Sequence, residues 1–165
     1  MKPPSPIRTD GDTAYIFLKE GFEAIIDVGD IPLVNDKRWR LLATRDGHCY
    51  ACTGQSAHGT FIMLHRFLLQ PPHTLKVDHE DGDGLNNRRK NIRTATGTQN
   101  NANSVVSRRN LLGVKGVSRT KNRRFRAVIQ LNDKNVHLGC FLTSEEAADA
   151  YKVAARVQWG DYAKK

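Results

Sequence analysis

Four residues near the middle of this chain combine the chemical groups needed to hydrolyse a phosphate ester. Asp78 and His79 are neighbours, Asn91 follows a turn rich in Gly and Asp, and Asn100 lies further along. Carboxylate and amide oxygens suit Mg²⁺ or Mn²⁺, ions that keep several water ligands. An imidazole with an unperturbed pKa of about 6.5 can accept a proton from attacking water at neutral pH. The spacing therefore indicates one hard divalent cation beside one general base, a combination that cuts phosphodiester bonds.

Simpler interpretations of the same residues remain open at this point. In a regular strand Asp78 and His79 face opposite sides, so both reach one phosphate only if the strand bends. The Asp-Gly-Asp-Gly stretch at 81–84 is also an ordinary turn sequence. A calcium-binding EF-hand loop is excluded, because it requires Glu at the position that Arg89 occupies.

The elements that must position these residues are a strand, a loop, a second strand and a helix. Stretches 76–79 and 91–96 predict the two strands. Thr98 is predicted to cap a helix that follows them. Asn100 and Asn101 both lie in that helix, and the sequence does not fix its phase, so either can supply the amide ligand.

The chain before this motif is predicted to be β-rich. A short helix is expected at 65–69, ended by the two prolines at 71–72. Residues 1–13, rich in Pro and Asp, are predicted to be loose. Apolar and β-branched runs bounded by turn residues predict strands at 14–18, 23–28, 39–43, 48–52 and 60–63.

Residues 113–161 predict a second compact unit, after a polar and basic linker at 105–112. Three strands are expected, at 114–120, 124–131 and 135–141. Thr143 and Glu146 have the spacing of a capping box, and the helix that they begin is expected to run to about Gln158. Its apolar stripe consists mostly of alanines, which allow close packing on a sheet: Ala147, Ala150, Tyr151, Ala154 and Ala155.

Positive charge is concentrated in the last 65 residues. The formal net charge of the chain is +9; residues 101–165 hold 13 Lys and Arg against 5 Asp and Glu, whereas residues 1–100 hold 13 against 12. This asymmetry indicates a polyanionic partner, with nucleic acid first. A membrane surface is disfavoured, because the one strong helix carries mostly Ala on its apolar side.

Neither a membrane nor an oxidising compartment is indicated. The longest apolar run is the five residues at 14–18, whereas a spanning helix needs about 20. No secretory signal is recognisable, so a cytoplasmic location is expected. Three cysteines, an odd number, argue against a disulfide framework. No structural zinc is expected, because Cys49 and Cys52 have no second C-x-x-C to complete four ligands.

The stretch 77–93, preceded by His65-Arg66 and followed by Gln99-Asn100-Asn101, resembles the HNH endonuclease family. The phage and intron-encoded homing type is the most similar branch. Proteins of this family fold the region as a ββα-metal finger, and the strands expected at 14–60 resemble the β-rich lead-in common to the branch. The motif is long and dense, which makes the resemblance specific.

The resemblance implies a role for each of the residues named first. His79 corresponds to the general base and Asp78 to a metal ligand. Asn91 corresponds to the middle Asn, which holds the loop and orients the base. Asn100 corresponds to the second metal ligand. His65 matches a His often found upstream, for which a phosphate contact and a structural role are both open.

The C-terminal unit resembles the AP2 DNA-binding domain, in which a three-stranded sheet packs on one helix and enters the major groove. The matching stretches are 116–119, 125–129, 137–141 and 143–151. They cover close to the full length of that family.

The second resemblance implies that the exposed side of this sheet contacts DNA. Family members with defined targets place Arg and Trp at positions occupied here by Ser118, Thr120, Asn122 and His137, so their base-reading set is not carried over. Basic residues remain for phosphates. The residues expected at DNA are Lys115, Ser118, Arg119, Arg123, Arg124, Arg126 and His137.

These observations predict an α+β protein in two parts: a lead-in and HNH nuclease at 1–104, with its ββα-metal core at about 75–104, and an AP2-like sheet and helix at 113–161. The expected activity is hydrolysis of double-stranded DNA by a monomer or weak dimer, with one Mg²⁺ or Mn²⁺ per chain and no small-molecule substrate. A phage-encoded chain would act in the host cytosol. The alternative is a DNA-binding regulator that keeps the scaffold without cutting. RNA binding is disfavoured, because the sheet lacks an aromatic-rich face.

Overall fold

The computed structural model describes residues 3–54, 61–104, 106, 110–131 and 134–163. It is α+β, as the sequence predicts, and its sheets are small and antiparallel. Contacts between residues divide the chain into two units, Met1–Ala95 and Thr96–Lys165. The division falls before the expected boundary at 104. Of the expected linker, residues 105 and 107–109 lie outside the described residues.

The first sheet of the N-terminal unit has the order β1-β2-β3. Its strands are β1 (Ile7–Asp10), β2 (Thr13–Lys19) and β3 (Phe22–Asp27). The expectation that residues 1–13 are loose is therefore wrong for Ile7–Asp10 and for Thr13, whereas residues 1 and 2 lie outside the described residues. Ile7 pairs with Ile16 across the sheet. A single apolar residue in a polar segment does not predict such a strand.

A second sheet and two short helices follow. A 3-10 turn at Val28–Asp30 leads into α1 (Ile31–Val34), which the sequence did not predict. The sheet has the order β4-β5-β6, and α2 (Leu64–Leu69) follows its last strand. Its strands are β4 (Arg40–Ala43), β5 (Cys49–Thr53) and β6 (Ile62–Met63). Residue 60, where the last strand was expected to begin, lies outside the described residues.

The core of this unit is built from alternate residues of β2 and β3 and from the elements that cover them. Ile16 and Ile26 are completely buried, as are Val34 and Leu64. Trp39 is 1% exposed, and its Nε1 donates to the Val34 carbonyl oxygen at 3.1 Å. The buried indole therefore keeps a hydrogen bond, which removes the cost of burying its N–H.

The strands that carry the candidate site form a two-stranded sheet of their own. They are β7 (Lys76–His79) and β8 (Ile92–Ala95), both close to the predicted positions. The antiparallel register places Asp78 opposite Arg93 and His79 opposite Ile92. An isolated two-stranded sheet is only marginally stable, so the loop between β7 and β8 needs further support.

Two arginines of that loop supply this support by pairing with carboxylates of the lead-in. Arg88 contacts Asp27 at 2.7 Å and Asp12 at 2.8 Å. Arg89 contacts Asp30 at 2.8 Å and donates to the Leu68 carbonyl oxygen at 2.9 Å. Such forked contacts hold geometry as well as charge.

The C-terminal unit begins with α3 (Gly97–Asn103). Its N-cap is Thr96, whose hydroxyl accepts a hydrogen bond from the Gln99 amide while the Gln99 side chain accepts one from the Thr96 amide. The prediction that Thr98 caps the helix is therefore wrong by two residues. Thr98 lies inside the first turn, where its hydroxyl contacts that of Thr96 at 3.0 Å.

A three-stranded antiparallel sheet and a long helix complete this unit. The sheet has the order β11-β10-β9, with β9 (Val117–Arg119), β10 (Phe125–Leu131) and β11 (Lys134–Phe141). Helix α4 (Ser144–Trp159) follows, and its buried Ala147 packs with Val117 and Ala127 of the sheet. The predicted capping box is confirmed: Glu146 N donates to Thr143 Oγ1 at 3.1 Å, and Thr143 N donates back to Glu146 Oε2 at 3.3 Å.

Replacing Arg89 by Met is expected to destabilise the protein. The Asp30 carboxylate, with 10% of its side chain exposed, would lose its cation, and the Leu68 carbonyl would lose its donor. Because Arg89 is partly exposed, the expected loss in the free energy of unfolding is about 2 kcal/mol, below the range for fully buried pairs. Denaturant unfolding measures it. Arg45→Met, at an exposed arginine, is the control; equal effects of the two substitutions would contradict the assignment.

Candidate active site

The Asp78 carboxylate is nearly buried, and its charge is balanced across the sheet. Asp78 is 4% exposed, and its Oδ2 accepts a hydrogen bond from Arg93 Nε at 3.0 Å. The two residues face each other in the register of β7 and β8. A buried carboxylate is costly without a partner, and Arg93 supplies that partner.

His79 is also nearly buried, and the side chain of Asn87 lies beside its ring. His79 is 7% exposed, and Nε2 lies 3.5 Å from Asn87 Oδ1. The Asn87 amide is oriented because its Nδ2 donates to the Leu85 carbonyl oxygen at 2.8 Å. Asn87 Oδ1, an acceptor, therefore faces the Nε2 side of the ring.

The surroundings of His79 favour its neutral form. Burial lowers the pKa of His79, and this is the largest effect. The Asn87 contact and the negative charges of Asp81, Asp78 and Asp83 oppose it without cancelling it. At neutral pH His79 is thus in the state that can accept a proton.

The Asn91 side chain closes the loop between β7 and β8. Asn91 Nδ2 donates to Asp81 Oδ1 at 2.9 Å and to the Asn86 carbonyl oxygen at 2.7 Å. Its Oδ1 accepts from the Asp81 amide at 3.1 Å, and its carbonyl oxygen accepts from the Glu80 amide at 2.9 Å. The residues directly after His79 are therefore held by Asn91, from the other end of the loop.

The acidic turn inside this loop uses its carboxylates for its own backbone. Asp81 Oδ1 accepts from the Asp83 amide at 2.8 Å, and Asp83 Oδ1 accepts from the Leu85 amide at 2.9 Å. Asn86 Nδ2 donates to Asp81 Oδ2 at 2.7 Å. The carboxylates form turns of the kind that Asp favours, which agrees with the simpler interpretation of this stretch.

Backbone contacts fasten the loop to the rest of the unit. Ile25 N donates to the Leu85 carbonyl oxygen at 2.8 Å, and Asn87 N donates to the Ile25 carbonyl oxygen at 2.7 Å. A Cβ at Gly84 would lie 2.4 Å from the Cys49 carbonyl oxygen and 2.6 Å from the Tyr50 ring. Only glycine fits such an approach, so position 84 allows the loop to press against β5.

The rings of His65, Tyr50 and His79 lie close together. The His65 and His79 rings are 5.0 Å apart at 89°, and Tyr50 lies 5.8 Å from the first and 6.1 Å from the second. Burial lowers the pKa of His65 to about 3, with further contributions from His79 and Arg66. His65 Nδ1 is buried without a hydrogen-bond partner in the described part of the chain. A neutral, packed ring favours the structural role for His65 over a charged phosphate contact.

The two residues that resemble metal ligands carry hard oxygen donors. Asp78 offers a carboxylate, and Asn100, half-buried on α3, offers an amide; Asn101 beside it is exposed. This donor chemistry fits Mg²⁺ or Mn²⁺, which take few protein ligands and retain water. Across residues 3–54, 61–104 and the described positions beyond, no three His, Cys, Asp or Glu side chains gather as a site for another metal.

Six of the seven residues expected at DNA are exposed in the C-terminal unit. Arg126 pairs with Ser118 on one side and with Cys140 on the other, and His137 pairs with Val128. Their neighbours in β10, Ala127 and Ile129, are buried. We call the exposed side the open face of the C-terminal sheet; its members, with the adjoining turn, are Ser118, Arg123, Arg124, Arg126 and His137, whereas Arg119 is exposed at the end of β9, opposite Phe125.

Lys115 is placed differently from the other six. It is half-buried, and its Nζ donates to the carbonyl oxygens of Ala102 and Ser104, each at 3.0 Å. No periodicity or motif in the sequence signals this contact, because it joins two segments through backbone oxygens. Its expected role at DNA stays a prediction.

Other residues that shape the site carried no recognised signal in the sequence. Asn87 is completely buried beside His79, Tyr50 packs on both histidine rings, and Arg93 balances Asp78. Asn87 and Arg93 lie within the motif, so a resemblance that assigned every motif position would have drawn attention to them. Tyr50 comes from a distant strand, and only the fold brings it here.

Comparison with known proteins gives one distant relative. The chain is 26% identical over 155 residues to a protein of Acanthamoeba polyphaga mimivirus named as an uncharacterized HNH endonuclease; the match covers 87% of this chain and 74% of that protein. No model of a protein family matches the chain, and no solved structure matches it. The relative supports the HNH resemblance at the level of the family, whereas the AP2 resemblance gains no support.

One further property concerns membranes. In the described residues, no helix has both the length and the apolar character that crossing a bilayer requires.

The low pKa of His65 predicts that acid destabilises the fold. The unfolded chain takes up this proton below about pH 6.5, whereas folded His65 stays neutral until about pH 3. Between these values the unfolded state binds more protons, so stability is complete above pH 6.5 and falls as the pH falls. At pH 5 the loss from this group is about 1–2 kcal/mol.

Denaturant unfolding at pH 7 and pH 5 measures this effect. His65→Phe removes the titrating group and should lose less stability between the two pH values than the wild type does. His73→Ala, at an exposed histidine, should follow the wild type. Identical pH dependence in the wild type and His65→Phe would contradict the assignment.

Proposed function

We propose that this chain is a metal-dependent HNH endonuclease that hydrolyses phosphodiester bonds in double-stranded DNA. The observation that supports this most is the state of His79: buried, neutral, in contact with Asn87, and next to Asp78 on a strand whose following loop Asn91 closes. The named activity of the mimivirus relative points the same way.

In this proposal His79 is the general base. Its neutral ring accepts a proton from the water that attacks the phosphorus atom, and the Asn87 contact at Nε2 stabilises the resulting imidazolium. Asn91 is a positioning residue, because it contacts the loop and not the base itself. Burial keeps the base uncharged until the proton arrives.

Asp78 and Asn100 are the proposed metal ligands, on the strength of the residue-by-residue resemblance and of their oxygen donors. A bound Mg²⁺ or Mn²⁺ would stabilise negative charge on the phosphate and on the leaving 3′ oxygen. Asp78 already has a cationic neighbour in Arg93. Arg93 thus offsets part of the cost of burying this carboxylate.

The open face of the C-terminal sheet is the proposed DNA anchor, as the AP2 resemblance expects. Arg124 lies directly before β10, Arg126 is the second residue of the strand, and both are exposed. Exposed guanidinium groups bind phosphate oxygens and make affinity strongly dependent on salt. With one site per chain, a monomer would nick one strand, and a double-strand cut would require two chains or two events.

The homing type, and action in the cytosol of a host cell, are part of the same proposal. The rival function is a DNA-binding regulator that keeps the scaffold but does not cut. Both functions predict binding to DNA, and only the first predicts strand cleavage that depends on His79.

Replacing His79 by Ala tests the catalytic half of the proposal. Supercoiled plasmid should be nicked by the wild type with Mg²⁺ or Mn²⁺ and stay intact with chelator. His79→Ala should lower the nicking rate by about 100-fold or more, because a general base contributes at least that factor. DNA affinity, measured by gel shift, should change by less than about twofold, because phosphate contacts on the sheet dominate it.

His73→Ala is the matched control, since His73 is exposed and lies on the turn before β7. It should nick like the wild type. If the wild type shifts DNA but never nicks it with any divalent ion, the regulator is the correct function. Equal nicking by His79→Ala and the wild type would refute the assignment of the base.

Replacing Arg126 by Met tests the anchor. Loss of one phosphate contact should weaken binding and make the slope of log affinity against log salt shallower by about 1. Fluorescence anisotropy across a salt series measures both. Lys152→Met, which removes an equal charge from the exposed side of α4, should leave the slope unchanged. Equal shifts in the two variants would indicate a general charge effect and not a contact at Arg126.

A further inference from the structure

The C-terminal end of α3 is closed by a side chain from outside the helix. Lys115 Nζ donates to the carbonyl oxygens of Ala102 and Ser104 at 3.0 Å and also to that of Asn101. It lies 3.1 Å from Ser104 Oγ as well. The last carbonyls of a helix lack partners within it and carry the negative end of its dipole, so one ammonium group stabilises this end by charge and by hydrogen bonds.

Helix α3 depends on such contacts because it is short. It spans seven residues, too few for a helix to be stable in water by itself. Its capping box at Thr96 and Gln99 stabilises the N-terminal end. Ala102 and Asn103 are buried near the other end, so that end is where the helix is attached.

The backbone at Lys115 is held in place by the next residue, Gly116. Gly116 has φ +70°, and a Cβ there would lie 2.2 Å from the Tyr151 ring and 2.6 Å from the Val128 carbonyl oxygen. Val128 N donates to the Gly116 carbonyl oxygen at 2.8 Å. The turn that carries Lys115 is therefore clamped between α4 and β10.

Packing around α3 is otherwise open. Ala102, Lys115 and Tyr151 line a cavity of about 490 Å³ and also a smaller one of about 110 Å³ that Trp159 completes. Ala102 is nevertheless 5% exposed, so the helix has an apolar contact here beside the hydrogen bonds from Lys115.

We infer that Lys115 is a positioning residue that seats α3, and with it the proposed ligand Asn100, within the C-terminal unit, whose sheet is the proposed DNA anchor. Through Asn100 this inference rests on the proposed function. It means that the unit with the proposed DNA anchor also sets the position of a proposed metal ligand. The ammonium group has three protons and four oxygen neighbours, three carbonyls and Ser104 Oγ, so in this arrangement its protons are directed to the end of the helix and not to a phosphate.

Hydrogen exchange of the full-length chain, without metal or DNA, tests the seating. Lys115→Met keeps the length of the side chain but removes its charge and donors. Amides of residues 96–104 should exchange about tenfold faster, the factor expected when charged hydrogen bonds are lost. Lys115→Arg should retain protection. Lys152→Met, whose ammonium group pairs with Asp149 at 3.3 Å, should match the wild type. Unchanged protection of β10 in Lys115→Met would show that the unit is folded.

Manganese titration followed by electron paramagnetic resonance, and DNA binding in metal-free buffer, complete the test. Lys115→Met should bind Mn²⁺ several-fold more weakly while its DNA affinity stays within about twofold. Unchanged exchange of α3 would overturn the inference, and a lower salt slope for DNA binding in the same variant would assign Lys115 to a phosphate. Faster exchange of α3, in a protein whose wild type never nicks DNA, would support the seating and overturn the proposed function alone.

Discussion

The side-chain amide of Asn91 is the contact on which the candidate site depends. By bonding to both main-chain and side-chain atoms of Asp81, and to the carbonyl oxygen of Asn86, it joins the two ends of a polar loop. The loop in turn delivers Asn87 to the ring of His79. A two-stranded sheet has little stability of its own. Without the contacts of Asn91, Asn87 would not be held beside the ring of His79.

Ion pairs connect the loop between β7 and β8 and its flanking strands to the rest of the N-terminal unit. The arginines of the loop region are paired with acidic residues: Arg88 with Asp27 and Asp12, Arg89 with Asp30, and Arg93 with Asp78. The positive charges of these three arginines are therefore balanced by ion pairs within the fold. The excess in residues 101–165 is arranged otherwise, with exposed guanidinium groups on the open face of the C-terminal sheet. This separation explains how one chain holds a buried, balanced site and a surface that attracts a polyanion.

Local patterns predicted much of the architecture. The capping box of α4 needs only Thr143 and Glu146 at the right spacing, and the strands of the C-terminal sheet follow from β-branched runs between polar turns. The errors arose where long-range contacts or nearly equivalent side chains decide. β1 forms because β2 offers it a partner. Thr96 caps α3 instead of Thr98 because β8 ends at Ala95, which leaves Thr96 extended and able to cap.

By itself the sequence determined which groups are present for chemistry: a carboxylate, an imidazole and amides at spacings typical of one nuclease family, followed by a basic unit with a recognisable helix start. Tertiary structure alone decided the state of those groups. The burial that lowers the pKa values of His65 and His79, the Asn87 contact at the His79 ring, and the attachment of α3 to Lys115 each depend on how the chain folds. Desolvation and hydrogen bonding depend on what surrounds a side chain in space, and residue order does not specify those surroundings.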